Sequence, residues 1–274
     1  MTKVILLLFL CSLPTYAQMA DNISTTSADK SALSAVVRTD FSSDFREEES
    51  VDKQRSLQTL VLLNYAVAPK DQVGLMLPLE KQLSQGYQEG FFLDSRLGYT
   101  RVGLLDNDYF RLNQRVALIY PTTENTKRKQ DMLSGLEINP AFSLKSSILP
   151  EGVSIGYTPR YRRRFHKFTT DRSGTYLVNQ SLMHFLSAGY SFTDNLSLST
   201  LFLYVQSTRY DGTRVDDAYL TNFELSYKIN SSIRVQAGVL TGGTVAEQEL
   251  GPDQNVRVFD NNDSFYNLGA TIVF

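Results

Sequence analysis

From Leu33 to the C-terminus, apolar residues recur at every second position in one segment after another. That period places alternate side chains on opposite faces of a β-strand, whereas an amphipathic helix would space them three and four apart. The first segment carries Leu33, Ala35, Val37, Thr39 and Phe41, with Ser34, Arg38 and Asp40 between them, and the second carries Leu57, Thr59, Val61, Leu63, Tyr65 and Val67. The same alternation continues through Val73 to Leu79, Leu93 to Tyr99, Phe110 to Tyr120, Leu136 to Leu144 and Val153 to Tyr161. It then runs through Leu182 to Phe192, Leu196 to Tyr204, Tyr219 to Ile229, Ile233 to Val239 and Tyr266 to Phe274. The pattern predicts about twelve strands, most of about ten residues.

The connections alternate in length. Short, turn-forming links fall at Pro69-Lys70-Asp71, Asp106-Asn107-Asp108, Ser146 to Glu151, Thr193-Asp194-Asn195 and Asn230-Ser231-Ser232. Long polar links fall at about 43–55, 81–91, 121–132, 163–178, 207–218 and 242–263. A soluble sandwich has no reason to keep its long loops on every second connection. An antiparallel up-and-down β-barrel in an outer membrane does, with short turns on the periplasmic side and long loops outside. The expected fold is therefore all-β, a transmembrane barrel of about twelve strands over residues 31–274, with both termini in the periplasm. Composition agrees once the alternation is known: a mildly negative mean hydropathy is the average of a lipid face and a lumen face. The 20% charged and 11% aromatic content excludes a disordered chain, and the net charge of -2 gives no electrostatic reason to expect a nucleic-acid partner.

The N-terminus reads as an export address. Lys3 supplies a positive start, Val4 to Leu13 an apolar stretch, and Thr15-Tyr16-Ala17 a small-residue cleavage site, so residues 1–17 are expected to be a signal peptide. Cys11, the single cysteine, would leave with it, and loss of Lys3 leaves 26 basic against 29 acidic residues. Residues 18–30 are expected to form a polar periplasmic segment.

The chain ends Tyr266-Asn267-Leu268-Gly269-Ala270-Thr271-Ile272-Val273-Phe274, a terminal Phe preceded by apolar residues at every second position. This ending resembles the C-terminal assembly signal of Gram-negative outer-membrane β-barrel proteins. The resemblance implies recognition by the barrel-assembly machinery through the strand ending at Phe274, and residence in the outer membrane. It names an architecture and not one transporter or enzyme family. In such a barrel Tyr65, Tyr99, Phe110, Tyr120, Tyr157, Tyr161, Phe192, Tyr204, Tyr219 and Phe274 would form the aromatic girdles, with Tyr serving where Trp is absent.

The opposite parity of each strand should face the lumen. It carries Arg38, Arg96, Arg111, Arg115, Lys145, Arg160, Arg162, Lys228 and Arg234 against Asp40, Glu80, Asp94, Glu137 and Glu224, a basic excess inside a net-negative protein. Arg111, Arg115, Lys145, Lys228 and Arg234 are expected near the periplasmic turns. Rings of Arg and Lys favour anions in pores, so the expected function is a passive channel or uptake pore for small, including anionic, solutes. Leu60, Leu62, Ile119, Met183, Phe185, Leu201, Leu203 and Val205 are apolar at inward positions in the middle to outer barrel. They suit plain packing, a seat for an inward loop, or a hydrophobic ligand in transit. The second function class is a non-conducting barrel for surface interaction or envelope anchoring.

A barrel hydrolase would need a nucleophile or activated water beside an oriented base. Neither His166 nor His184 has Ser two residues after it or Asp two before, so no catalytic residue is expected. Asp260 to Asp263 and Asp211 to Asp217 hold hard oxygen ligands without EF-hand spacing, so neither a metal nor a cofactor is expected. The run Arg160, Arg162, Arg163, Arg164, His166, Lys167 is the densest basic cluster, and its position at the outer rim suggests contact with lipopolysaccharide phosphates, with Glu47-Glu48-Glu49 opposing it.

Overall fold

The computed structural model describes residues 32–45, 53–83, 90–123, 125–244 and 264–274. The expected signal peptide, the segment 18–30, Glu47-Glu48-Glu49 and Asp260 to Asp263 lie outside the described residues. Twelve long strands form the wall: β1 (Leu33–Asp44), β2 (Arg55–Ala68), β3 (Asp71–Gln82), β5 (Ser95–Asp106), β6 (Phe110–Tyr120), β7 (Met132–Leu144), β8 (Val153–His166), β9 (Val178–Ser191), β10 (Leu196–Arg209), β11 (Arg214–Lys228), β12 (Ile233–Thr244) and β13 (Ser264–Val273). A three-residue strand, β4 (Gly90–Phe92), pairs only with the end of β3.

Each wall strand runs antiparallel to its sequence neighbour, and β1 pairs with β13 from Val36↔Val273 to Asp44↔Phe265, so the sheet closes on itself. The last residue completes the seam: the backbone N–H of Phe274 donates to the Ala35 carbonyl at 2.9 Å and the Ala35 N–H donates back at 3.3 Å. Closure leaves none of the twelve wall strands as an open edge, which a bilayer requires because its core offers no water to exposed backbone groups.

The two faces follow the period-two reading. Leu97, Leu118, Leu186, Leu225 and Leu268 stand exposed on the outside while Leu60, Met183, Phe185, Leu201 and Leu203 are buried inside. Exposed large apolar groups on a closed barrel are the mark of a lipid-facing surface. The girdle positions Tyr65, Tyr99, Tyr120, Tyr157, Tyr161, Phe192 and Phe274 are exposed as expected. Tyr219 is not: it is 5% exposed and lies flat over Gly243, whose missing side chain leaves room for the ring 3.3 Å from where a Cβ would stand.

The turn end has the short links, including a 3-10 turn at Ser146–Ile148. The loop end departs from expectation in two places. The fifth link, expected over 207–218, is mostly strand, because β10 continues to Arg209 and β11 begins at Arg214. Gly212, at φ 84°, makes the tight turn, and the Asp211 carboxylate accepts from the Thr213 N–H at 3.0 Å. The third link folds as a π-helical turn, Asn125–Lys129, pinned by Asp94, which accepts from the Thr126 hydroxyl at 2.7 Å and the Thr122 N–H at 3.2 Å. In the fourth loop the Ser173 hydroxyl, foremost, and the Thr175 N–H hold the Asp171 carboxyl below its usual range.

Candidate functional site: the barrel lumen

The lumen divides into an open half and a packed half. At the turn end is a cavity of about 600 Å³ whose wall includes Ser34, Ser143, Ser154, Ser187, Ser197, Ser199 and Ser226. These positions alternate inward on their strands, and small hydroxyl side chains leave the bore wide. Ser197 and Ser226 hydroxyls meet at 2.9 Å, so part of the polar wall is tied to itself. Arg111, Lys228 and Arg234 line the same cavity. Arg111 also reaches Asp106 at 3.2 Å, and Lys145 forms an ion pair with that carboxylate, so the basic mouth is partly neutralised on one side.

In the wall of the same cavity, Arg38 donates through Nη2 to Glu224 and through Nε to Asp40, each at 2.6 Å. Asp40 also accepts from the Gln236 amide at 3.1 Å. Gly269 makes this possible, since a Cβ there would stand 2.0 Å from the Asp40 carboxylate.

The packed half begins at the next level. Met183, Phe185, Leu201, Leu203, Ala218, Leu220, Leu240 and Phe265 form one buried cluster on the wall from β9 to β13. Val36, which also lines the cavity, forms another with Leu60, Leu62 and Met76 on β1 to β3. Between them, on β5 to β8, stands a set of arginines. Glu137, 1% exposed, accepts from Arg162 Nη2 at 2.7 Å and Nε at 3.0 Å, and from Asn139 at 3.1 Å. Arg160 Nε lies 3.6 Å from the other Glu137 oxygen. The Arg160 guanidinium covers the Phe185 ring at 4.4 Å, and Arg96 Nη1 donates to Met76 Sδ at 3.5 Å, so the cationic set touches both apolar clusters. Arg164 donates to the Ser181 hydroxyl at 3.2 Å. Fixed positive charge within a low-dielectric wall opposes cations.

Of the expected pore-lining residues, Arg38, Arg96, Glu137 and Glu224 are buried in the lumen, and Arg111, Lys228 and Arg234 line the cavity at its mouth. Arg115 stands deeper than expected: it lies over Gly98, its Nε 2.9 Å from where a Cβ would be, and its charged neighbours are Glu137 and Arg96. The basic run on β8 divides by parity. Arg160 and Arg162 are 4% and 7% exposed inside the barrel with Glu137, and Arg164 shares their face. These three therefore do not form an outward phosphate clamp, and of that set only Arg163, of opposite parity, and Lys167, in the loop, are placed away from the lumen. Successive strand residues point to opposite faces, and Arg160 and Arg162 keep the lumen-facing parity that the alternation assigns them.

The histidines sit apart from these groups. The His184 Nδ1 lies 2.8 Å from the Tyr157 hydroxyl on the outer face, and the two rings stack at 6.2 Å. His166, at the loop end, meets the Tyr210 hydroxyl at 3.2 Å. The serine lining was not singled out from the sequence. The signal was available as small residues at inward positions beside the short turns, but charge drew the reading instead.

No protein-family profile matches this chain, and no curated protein matches it. Its architecture is that of known outer-membrane channels. It is similar to the crystal structure of an outer membrane channel from Pseudomonas putida F1, at 14% identity and a TM-score of 0.58, covering 90% of this chain and 97% of that one. It is also similar to the NanC porin structure, at 10% identity and a TM-score of 0.56, covering 87% of this chain and 98% of that one.

Proposed function

We propose that this chain, a twelve-stranded barrel with the fold of outer-membrane channels, is a narrow passive uptake pore for small, preferentially anionic, solutes in the outer membrane of a Gram-negative cell. The observation that carries the reading is the serine-lined cavity of about 600 Å³ leading to a lumen level dominated by arginines. An open polar vestibule admits hydrated solutes, and fixed positive charge selects among them. A protein reaching that membrane needs export and assembly, which the N-terminal Lys3 to Ala17 pattern and the strand ending at Phe274 support. Arg163 and Lys167 remain suited to contact with lipopolysaccharide phosphates at the rim. Among the described residues the side-chain partners of the histidines are the Tyr157 and Tyr210 hydroxyls rather than a serine or a carboxylate, an arrangement that supports transport over hydrolysis.

The buried layer from Met183 to Leu203 favours a second reading, a barrel sealed by its own side chains that serves the envelope or the cell surface. Liposome swelling separates them. Vesicles containing the refolded protein should swell slowly in small organic acids and more slowly in neutral sugars of similar size. Swelling no faster than in empty vesicles for every solute would leave the sealed barrel.

A further inference from the structure

The mid-lumen arginines are more numerous than their partners. Arg96, Arg115, Arg160, Arg162 and Arg164 share electrostatic range with one another, with Glu137 and, for the last two, with Asp94. Five guanidiniums against two carboxylates leave a local surplus of positive charge. Asp94 is moreover engaged by Thr122 and Thr126 of the third loop. The surplus leaves donors without a hydrogen bond: among the described residues, Arg160 Nη1 and Arg96 Nε meet no acceptor and Arg160 Nε reaches only Glu137, at 3.6 Å, although Arg160 is 4% and Arg96 7% exposed. Buried donors of like charge are costly unless an acceptor of opposite charge joins them.

What lies beside those donors narrows the acceptor. Arg160 is spread over Phe185, and Arg96 contacts Met76, so the unbonded guanidinium nitrogens stand beside apolar side chains. A bare inorganic anion would give up its hydration on those walls without further donors to replace it. A carboxylate with an apolar body satisfies both surfaces, its oxygens on the guanidiniums and its carbon skeleton against Phe185 and Met76. Glu137 already shows the first half of this arrangement with Arg162.

We propose that the seam between Arg96, Arg160 and the side chains of Phe185 and Met76 is a binding site for small amphipathic monocarboxylates, and that Glu137 competes with the ligand as an internal anion. The proposal deepens the uptake reading and rests on it for its biological sense, while binding at the seam is measured independently of conduction.

The test is isothermal titration of the refolded full chain in detergent at low salt with benzoate, acetate and benzyl alcohol, beside efflux of the same compounds from proteoliposomes. Benzoate should bind at least about tenfold more tightly than either benzyl alcohol or acetate, the first from its charge and the second from its ring. Arg160→Gln should weaken benzoate about tenfold or more, and Glu137→Gln should tighten it. Opposite signs from two substitutions in one buried ion pair are not expected of a purely structural pair, and the Glu137→Gln result stands if Arg160→Gln fails to fold. Equal affinity for benzoate and benzyl alcohol, or weaker benzoate binding in Glu137→Gln, overturns the site. Benzoate binding without efflux of any compound supports the site and removes the uptake reading. Efflux without benzoate preference removes the site and leaves that reading.

Discussion

The two halves of the lumen use the same strands and the same inward parity, yet they are built from opposite materials. Toward the turns, inward positions hold Ser34, Ser143, Ser154, Ser197, Ser199 and Ser226 around an open cavity. Toward the loops, the same strands turn to Met183, Phe185, Leu201, Leu203 and Leu220, each at most 2% exposed, and to arginines wrapped around Glu137. Side-chain volume alone decides which half is open, because the backbone wall is continuous through both. The packed half should therefore carry stability and selectivity, and the open half should carry little of either.

The sharpest way to break this division is Glu137→Ala. Removing one partner of a buried ion pair leaves uncompensated charge, so unfolding in denaturant should show a loss of about 3–5 kcal/mol. Leu203→Ala should cost somewhat less, about 2–4 kcal/mol, as a cavity in the buried cluster, and should raise single-channel conductance by widening the bore. Arg38→Ala leaves Glu224 and Asp40 facing each other near the boundary of the two halves. About 1–3 kcal/mol is expected in the same assay, with a smaller anion preference in bilayer recordings. Ser154→Ala, in the open half, should stay within about 0.5 kcal/mol of wild type. If Ser154→Phe cut conductance more than Leu203→Ala raised it, the narrow point would lie in the vestibule and the division would be reversed.

The wall was almost fully legible in the sequence, since the lipid and lumen faces are written as a period of two and closure is implied by strand number and by the ending at Phe274. What the sequence hid lies in the third dimension. Parity sends Arg160 and Arg162 inward and Arg163 outward, but only the fold shows that Glu137, opposite Arg162 on the neighbouring strand, collects the inward pair. Arg115 belongs to the mouth by analogy with Arg111, yet Gly98, diagonal to it on β5, leaves room for its side chain to lie against the wall. The link at 207–218 looked like a long loop because Arg214, Asp216 and Asp217 are polar. Pairing of Ser207 with Val215 and Thr208 with Arg214 makes most of it strand, since a hairpin beyond the membrane does not need an apolar face. The serine vestibule is written as small residues at inward positions beside the short turns, a weaker signal than the charged residues among them.

The central claim is that charge in the packed half governs what passes. The most direct measurement is the reversal potential of the refolded protein in a planar bilayer under a salt gradient. The account predicts a small conductance with a potential displaced toward the anion's equilibrium value, and a displacement that shrinks when Arg96 and Arg160 are both replaced by Gln. A potential displaced toward the cation's value would contradict it, and so would an anion preference that survives the double replacement unchanged.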